Sequence, residues 1–286
     1  MSLWHVVLLA IVQGLAELLP VSSSAHVVVA EKLLGLDPSS PPMTLLLVML
    51  HTGTMFAVIV YFWSQWRDTY FQSAAAFKRF AGLVVLATVL TGVFGGVIIK
   101  IIEKTAFRGI PHGEIENLFS HLELIAPALA SAGILILIAG IADRRSTTDK
   151  TNELNVKHAG IIGIVQGLCL PFRGFSRSGA TISAGMLAGL AKSRAETFSF
   201  ALAVVLTPPV VAREAMRLVH AEHITGTAGL ASAAFPSLLG AVLAFFAGLL
   251  ALRWLSRWLE HGRWYLFGIY CLVAAAAVGY LHYLGY

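Results

Sequence analysis

Polar and ionisable residues interrupt an apolar stretch near the start of the chain. The segment from Leu3 to Val12 contains no Asp, Glu, Lys or Arg, and neither does the segment from Val27 to Ala30. Between the two lie a carboxylate (Glu17), a helix breaker (Pro20), three consecutive serines and an imidazole (His26). Ionisable groups at membrane depth are costly and mark functional sites, so we interpret this segment as part of one.

The residue types in this segment suit proton transfer, metal binding and nucleophilic attack. Glu17 can act as a general base or hold a divalent cation. His26 follows Ser22 by four residues and Ser23 by three, so one helical face presents a hydroxyl and the imidazole together. Beside a phosphate site, these groups predict nucleophilic or metal-assisted phosphoryl transfer. The nucleophile would be a serine hydroxyl or a water molecule.

A second polar segment, Arg-Gly-Phe-Ser-Arg-Ser-Gly-Ala-Thr, occupies residues 173–181. Its candidate phosphate-binding residues are Gly174, Ser176, Arg177, Ser178 and Thr181. Arg177 is a forked cation between hydroxyls, and a helix that begins at Ser178 or Gly179 would point its positive end at the same place. These features suit an oxyanion, most naturally phosphate. In the alternative interpretation, the arginine pairs with a structural carboxylate.

A repeated motif precedes the two polar segments. Ile11-Val-Gln-Gly-Leu15 recurs as Ile164-Val-Gln-Gly-Leu168, and each copy is followed by a proline and then by serines. We interpret this recurrence as an internal duplication of the chain. The alternative is that a short apolar string recurs by chance in a hydrophobic sequence.

The composition excludes a soluble domain. The chain is 57% hydrophobic and 12% charged, with a mean hydropathy of +0.79, whereas average soluble proteins are about 25% charged. We therefore expect a lipid bilayer as its surroundings. The two cysteines, Cys169 and Cys271, are too few for a disulfide framework. No compact basic run accompanies the net charge of +5, so we expect no nucleic-acid partner.

The lengths of the apolar segments predict an all-α integral membrane protein. Segments 3–19 and 23–35 are each shorter than the ~20 residues that cross the hydrocarbon, and they predict a re-entrant helical hairpin at about 3–35. A single span followed by an interfacial helix is the alternative. A second hairpin is predicted at about 159–190. Complete spans are predicted at 43–63, 81–99, 124–142, 197–212, 230–252 and 264–283.

Each half of the chain is then one hairpin followed by three spans. The predicted first repeat covers 1–142, a cytoplasmic linker covers 143–158, and the second repeat covers 159–286. Because three is an odd number of spans, the second repeat is inverted relative to the first, as in many transporters. Lysines and arginines are more numerous in the loops on the linker's side, so the positive-inside rule assigns that side to the cytoplasm and both termini to the outside.

The two polar segments resemble the signatures of one family. Gln13 to His26 looks like the first signature of the undecaprenyl-diphosphate phosphatase family, also called bacitracin-resistance proteins, and Gly174 to Ser183 looks like the second. The resemblance implies a membrane enzyme that removes the terminal phosphate of undecaprenyl diphosphate and recycles this lipid carrier for cell-wall synthesis. It also implies dependence on Mg²⁺ or Ca²⁺ and a site that opens to the periplasmic side of the bacterial inner membrane.

The same resemblance implies roles for individual residues. Those that match the family's catalytic residues are Glu17, Ser22, Ser23, His26 and Arg177. One of the two matched serines is the family's proposed nucleophile, and we expect it to be Ser23. Gln13 stands where the family has Glu or Gln, so Glu17 and Gln13 are the expected metal ligands. Arg173 replaces the family's usual proline and adds a cation to the phosphate-binding residues. The family's usual Tyr-Arg near the C-terminus is Tyr270-Cys271 here.

Two functions compete at this stage. The first is a phosphatase that binds the diphosphate over the two hairpins and the polyprenyl tail between helices. The second is a transporter or flippase of polyprenyl phosphate lipids, which the inverted repeat favours. Release of phosphate would support the phosphatase, and binding without hydrolysis would support the transporter. Helix faces rich in glycine and alanine permit a homodimer.

Overall fold

The computed structural model describes residues 2–37, 40–106, 121–146, 150–225 and 228–285, apart from the side chains of residues 41, 214–215 and 217–233. Within these ranges the chain forms ten helices: α1 Leu3–Leu18, α2 Ser23–Leu33, α3 Pro41–Tyr70, α4 Ala74–Ala106, α5 Leu122–Arg145, α6 Val156–Cys169, α7 Arg177–Leu187, α8 Lys192–Thr225, α9 Ala228–Glu260 and α10 Trp264–Tyr283. The described residues contain no strand beyond an isolated bridge between Thr151 and Leu190.

Six of these helices are long and apolar enough to cross a membrane. Their apolar parts are Pro42–Tyr70, Ala74–Thr105, Leu122–Arg145, Lys192–Arg213, Ala234–Glu260 and Trp264–Tyr283. Each overlaps one of the six predicted spans, because a run of ~20 apolar residues can be recognised without any knowledge of tertiary contacts. The prediction of an all-α, multi-pass membrane protein is confirmed.

Two pairs of shorter helices complete the fold. α1 has 16 residues and α2 has 11, while α6 has 14 and α7 has 11. At ~1.5 Å of rise per residue, none of the four reaches across ~30 Å of hydrocarbon. α1 contacts α2, and α6 contacts α7. The pairs have the lengths that re-entrant hairpins require. Their re-entrant insertion into the membrane, and the face from which each would enter, stay predictions.

The repeated Gln-Gly pair lies at two close contacts between helices. α1 packs against α9, and α6 packs against α4. A Cβ atom at Gly14 would lie 2.5 Å from the Cβ of Ala247 in α9, and one at Gly167 would lie 2.9 Å from the carbonyl oxygen of Thr91 in α4. Glycine recurs because the facing helix leaves no room for a side chain. The two contacts are reciprocal, because each predicted half packs its first helix against a later helix of the other half. The duplication, the repeat boundaries and the inversion stay predictions.

The described part of the predicted linker forms backbone hydrogen bonds with residues that follow α7. The N–H of Thr151 donates to the carbonyl oxygen of Gly189 at 3.0 Å, and the N–H of Ala191 donates to that of Thr151 at 2.8 Å. Linker residues 147–149 and the terminal residues 1 and 286 lie outside the described residues. The side of the membrane on which the linker and the termini lie therefore stays a prediction.

Candidate active site

The turn of the first hairpin lies directly against the turn of the second. The hydroxyl of Ser178 donates a hydrogen bond to the carbonyl oxygen of Leu19 at 3.3 Å. The backbone N–H of Gly174 donates to the hydroxyl of Ser24, also at 3.3 Å. These partners are 159 and 150 residues apart in the sequence. The fold thus brings the two predicted polar segments into one site.

A cavity of 210 Å³ lies between the two turns. The first hairpin lines it with Glu17, Ser22, Ser23 and Ser24. The second hairpin lines it with Arg173, Ser176, Arg177 and Ser178. All of these residues except Ser24 were predicted as site residues from the sequence. The cavity therefore combines one carboxylate, several hydroxyls and two arginines, which is a set of groups suited to an anionic ligand.

Glu17 is the centre of the hydrogen bonding at this cavity. Its Oε1 accepts a hydrogen bond from Nη2 of Arg177 at 3.1 Å. Its Oε2 accepts from the hydroxyl of Ser23 at 2.5 Å and from Nε2 of Gln13 at 3.2 Å. The Glu17 and Arg177 side chains are 18% and 23% exposed, so this ion pair is largely sheltered from solvent. The carboxylate of Glu17 thus contacts both the candidate nucleophile Ser23 in the first hairpin and Arg177 in the second.

The two candidate serines have different surroundings. The hydroxyl of Ser23 points at the carboxylate of Glu17, which can accept its proton. The hydroxyl of Ser22 pairs instead with that of Ser24 at 3.2 Å. Ser22 also has a φ of +67°, and it is the one non-glycine residue with positive φ in the described ranges. The geometry favours Ser23 as the nucleophile, and the unusual backbone of Ser22 shapes the turn that presents it.

Arg177 lies at the positive end of a helix. The helix begins at Arg177, one residue before the predicted start, because the hydroxyl of Ser176 caps it by accepting from the N–H of Gly179 at 3.2 Å. The Nη1 atom of Arg177 is buried and has no hydrogen-bond partner among the described residues. An unused buried donor is costly, so an anionic ligand that satisfied it would be bound favourably. The alternative interpretation paired Arg177 with a structural carboxylate. Arg177 does pair with a carboxylate, but it is that of Glu17, which was itself predicted to be catalytic.

Two of the predicted phosphate-binding residues do not line the cavity. The hydroxyl of Thr181 donates a hydrogen bond to the carbonyl oxygen of Arg177 at 2.8 Å. It also forms a hydrogen bond with the hydroxyl of Ser199 at 2.5 Å. Thr181 is completely buried. Gly174 has a φ of +100°, and a Cβ there would lie 2.5 Å from the carbonyl oxygen of Ile125. Both residues support the turn rather than face the cavity.

His26 also lies away from the lining of the cavity, and both of its ring nitrogens are engaged. Nδ1 lies 2.8 Å from the carbonyl oxygen of Ser22, and Nε2 lies 2.7 Å from the hydroxyl of Tyr270. The imidazole makes no hydrogen bond to either Ser22 or Ser23 through their hydroxyls. His26 is close to the serines as predicted, but its contact is with the backbone carbonyl of Ser22 and not with a serine hydroxyl.

Sequence reasoning missed two residues at this site. His51 in α3 places its Nε2 atom 3.9 Å from Oε2 of Glu17, with its Nδ1 atom 2.8 Å from the carbonyl oxygen of Leu47. The available signal was that His51 interrupts an otherwise apolar span. Tyr270 in α10 contacts His26. The resemblance had covered Tyr270, but nothing in the sequence related it to the first hairpin.

The residues around Glu17 fit a divalent cation only in part. No group of three His, Cys, Asp or Glu side chains converges on one point within the described ranges. Gln13 turns its amide N–H towards Glu17. Mg²⁺ is commonly bound by one or two carboxylates together with water and substrate phosphates. Among the described residues, Glu17 alone could therefore supply only part of the ligands of such a cation.

Comparison with known proteins gives a match over nearly the whole chain. Residues 6–277 match the family model described as bacitracin resistance protein BacA. Undecaprenyl-diphosphatase 2 of Acinetobacter baylyi is 58% identical over 281 residues, which are 97% of each chain. Undecaprenyl-diphosphatase 2 of Burkholderia thailandensis is 35% identical over 96% of this chain and 95% of its own. Undecaprenyl-diphosphatase 1 of Burkholderia pseudomallei is 34% identical over the same shares.

Proposed function

The chain belongs to the BacA family of bacitracin resistance proteins, and on this premise we propose that it is an undecaprenyl-diphosphatase. It hydrolyses undecaprenyl diphosphate to undecaprenyl phosphate and inorganic phosphate, recycles the lipid carrier for cell-wall synthesis and confers resistance to bacitracin. The observation that carries the proposal is the junction of the two hairpins, where Glu17 accepts hydrogen bonds from both Ser23 and Arg177. The family and its named relatives support this phosphatase over the transporter or flippase of polyprenyl phosphate lipids.

The diphosphate binds where the second hairpin is positively charged. Arg177 and the N-terminus of α7 bind the terminal phosphate, with the hydroxyls of Ser176 and Ser178 beside it. Arg173 adds a second guanidinium at the same cavity. Apolar residues Leu170, Phe172 and Phe175 also line the cavity, and they suit the start of a polyprenyl chain.

The reaction begins with Ser23. Its oxygen attacks the terminal phosphorus while Oε2 of Glu17, at 2.5 Å, takes the hydroxyl proton. The bond between this phosphorus and the bridging oxygen breaks, and undecaprenyl phosphate leaves. Water then attacks the phosphoserine, inorganic phosphate departs, and Glu17 returns the proton to Ser23. Throughout, Arg177 neutralises negative charge on the phosphoryl oxygens.

A divalent cation, Mg²⁺ or Ca²⁺, belongs to this proposal. Glu17 would hold it, with Gln13 beside that carboxylate. When bound, the cation would neutralise charge on the diphosphate oxygens. The single carboxylate supports a cation that is shared with the substrate rather than one enclosed by the protein alone.

The membrane arrangement is also part of the proposal. The chain is a multi-pass membrane protein whose substrate is a lipid in the bilayer. It lies in the bacterial inner membrane, with both termini outside and the active site open to the periplasmic side. The distribution of basic residues supports this orientation. A homodimer is compatible with the glycines at 92 and 96 of α4, where a Cβ atom would meet nothing within 4 Å.

Release of inorganic phosphate from undecaprenyl diphosphate tests the function. The detergent-purified protein would be assayed with Mg²⁺, with Ca²⁺ and with a chelator, beside Glu17→Gln and Arg177→Ala. We expect cation-dependent release that both variants lose. A wild-type protein that binds the lipid diphosphate without releasing phosphate would support the transporter, which lipid movement in proteoliposomes would then check.

A further inference from the structure

Tyr270 reaches the first hairpin from the last helix of the chain. Its hydroxyl lies 2.7 Å from Nε2 of His26, and the two rings are stacked, with centroids 5.7 Å apart and planes 13° apart. The next residue, Cys271, is completely buried, and its thiol donates to the carbonyl oxygen of Pro20 at 3.4 Å. Consecutive residues of α10 therefore contact the turn between α1 and α2 and the first turn of α2.

The hydrogen bonds of His26 determine its tautomer. The carbonyl oxygen of Ser22 can only accept a hydrogen bond, so Nδ1 of His26, at 2.8 Å, carries the proton that it donates. In the neutral imidazole, Nε2 then has a lone pair and accepts the hydrogen bond from Tyr270. Tyr270 therefore stabilises the tautomer in which His26 donates to the backbone.

The backbone that His26 holds leads to the nucleophile. The carbonyl of Ser22 belongs to the peptide group between Ser22 and Ser23, and Ser22 has the unusual φ of +67°. A non-glycine residue in this region is strained and persists only when its surroundings hold it. The Ser22 carbonyl accepts from Nδ1 of His26 at 2.8 Å and from the backbone N–H of His26 at 3.4 Å. The shorter bond, from the imidazole, helps to orient the peptide group that leads to Ser23, whose hydroxyl donates to Glu17.

We propose that Tyr270 is a positioning residue for the phosphatase reaction, acting through His26 and the Ser22 carbonyl on Ser23. This inference rests on the function proposed above. It assigns His26 to the same positioning role, because neither ring nitrogen is available to the Ser23 hydroxyl and the residue does not line the cavity. Glu17 remains the group that takes the proton.

The first test is Tyr270→Phe, which removes the hydroxyl and keeps the stacked ring. Tyr280→Phe is the matched control, because Tyr280 is a 62%-exposed tyrosine of the same helix. We expect the kcat of Tyr270→Phe to fall about tenfold, the loss that corresponds to one misplaced hydrogen bond. We expect KM to change by less than about twofold, since Tyr270 does not line the cavity. Wild-type kcat in Tyr270→Phe would overturn the inference.

The second test separates positioning from proton transfer at His26. In His26→Asn, the amide nitrogen is as many bonds from the backbone as Nδ1, so it can still donate to the Ser22 carbonyl, but it does not titrate. We expect His26→Asn to be about tenfold more active than His26→Ala and to keep the shape of the wild-type pH profile. Equal activity of the two variants would overturn the inference and make His26 a proton carrier.

A double variant tests whether Tyr270 acts through His26. We expect His26→Asn combined with Tyr270→Phe to have the same kcat as His26→Asn alone, because the asparagine lacks the acceptor that Tyr270 uses. A further loss in the double variant would show that Tyr270 acts by another route and would overturn the proposal.

Nitrogen-15 NMR of histidine-labelled protein gives a readout that needs no activity. The difference between the spectra of wild type and His26→Asn identifies the His26 signals. We expect a neutral ring protonated at Nδ1, with an Nε2 signal that moves in Tyr270→Phe. If the wild type releases no phosphate, the proposed function fails, while these signals still show whether Tyr270 donates a hydrogen bond to Nε2 of His26. An Nε2-protonated ring, or no change in Tyr270→Phe, would overturn it.

Discussion

The hydroxyl of Ser23 lies 2.5 Å from the Oε2 atom of Glu17. This short distance is typical of a hydrogen bond from a hydroxyl to an ionised carboxylate. The second oxygen of the same carboxylate accepts from Arg177. A candidate nucleophile, its base and the candidate phosphate-binding cation thus form one chain of contacts across the two hairpins.

Replacing Glu17 by glutamine tests the base. The amide keeps the shape of the side chain but cannot take the Ser23 proton, so we expect kcat for phosphate release to fall by about 10²–10⁴. Glu153→Gln is the matched control, because Glu153 forms an exposed ion pair with Arg79 and neither residue lines the cavity. A kcat for Glu17→Gln within about threefold of wild type would contradict the assignment.

The alanine variants of the two serines should differ. Ser23→Ala removes the nucleophile, and we expect its kcat to fall at least about a thousandfold. Ser22→Ala removes a hydroxyl that pairs with Ser24, and we expect a smaller loss. Rapid-quench experiments with radiolabelled substrate should find label on the wild-type protein and none on Ser23→Ala. Full turnover by Ser23→Ala would make water the nucleophile.

Arg177→Lys tests whether two separate donors are needed. Arg177 uses Nη2 for Glu17 and leaves Nη1 without a partner among the described residues. A lysine keeps the charge but cannot reach both places with a planar fork. We expect kcat/KM to fall about 10²-fold for lysine and further for alanine. Arg67→Lys, at an exposed end of α3, is the control. Equal turnover by Arg177→Lys and wild type would exclude a forked contact.

Gly14→Ala tests the close contact of α1 with α9. The added Cβ would meet Ala247 at 2.5 Å, so the helices must separate, at a cost of about 1–3 kcal/mol. We expect a melting temperature several degrees lower than that of the wild type in detergent. At Gly82 of α4 a Cβ meets nothing within 4 Å, so Gly82→Ala should not lower it. Equal melting temperatures for the two variants would argue against this contact.

Several features followed from the sequence because their causes are local. The six spans are recognisable as apolar runs, and the two polar segments stand out because charged groups are rare in such surroundings. A helix was predicted to begin at Ser178 or Gly179, and it begins at Arg177, one residue before the first of these, with Ser176 as its cap. The position of a cap depends on which hydroxyl reaches a free N–H, and that choice is made by the folded turn.

Other features required partners from distant parts of the chain. Thr181 has the residue type of a phosphate ligand, yet the packing of α7 on α8 turns its hydroxyl to Ser199. His51 looked like a minor interruption of a span until α3 brought it to 3.9 Å from Glu17. These contacts depend on which helix packs against each helix face. The sequence of one helix does not identify that neighbour, so the contacts could not be predicted.

The sequence by itself determined the class of the protein, its six spans and the two polar segments, because hydrophobic length and the cost of buried charge act on each segment separately. The tertiary structure decided which atoms meet. It joined Ser23, Glu17 and Arg177 in one cavity and held His26 between the Ser22 carbonyl and Tyr270. Contacts between residues 244 apart arise from helix packing, which no local pattern of residues records.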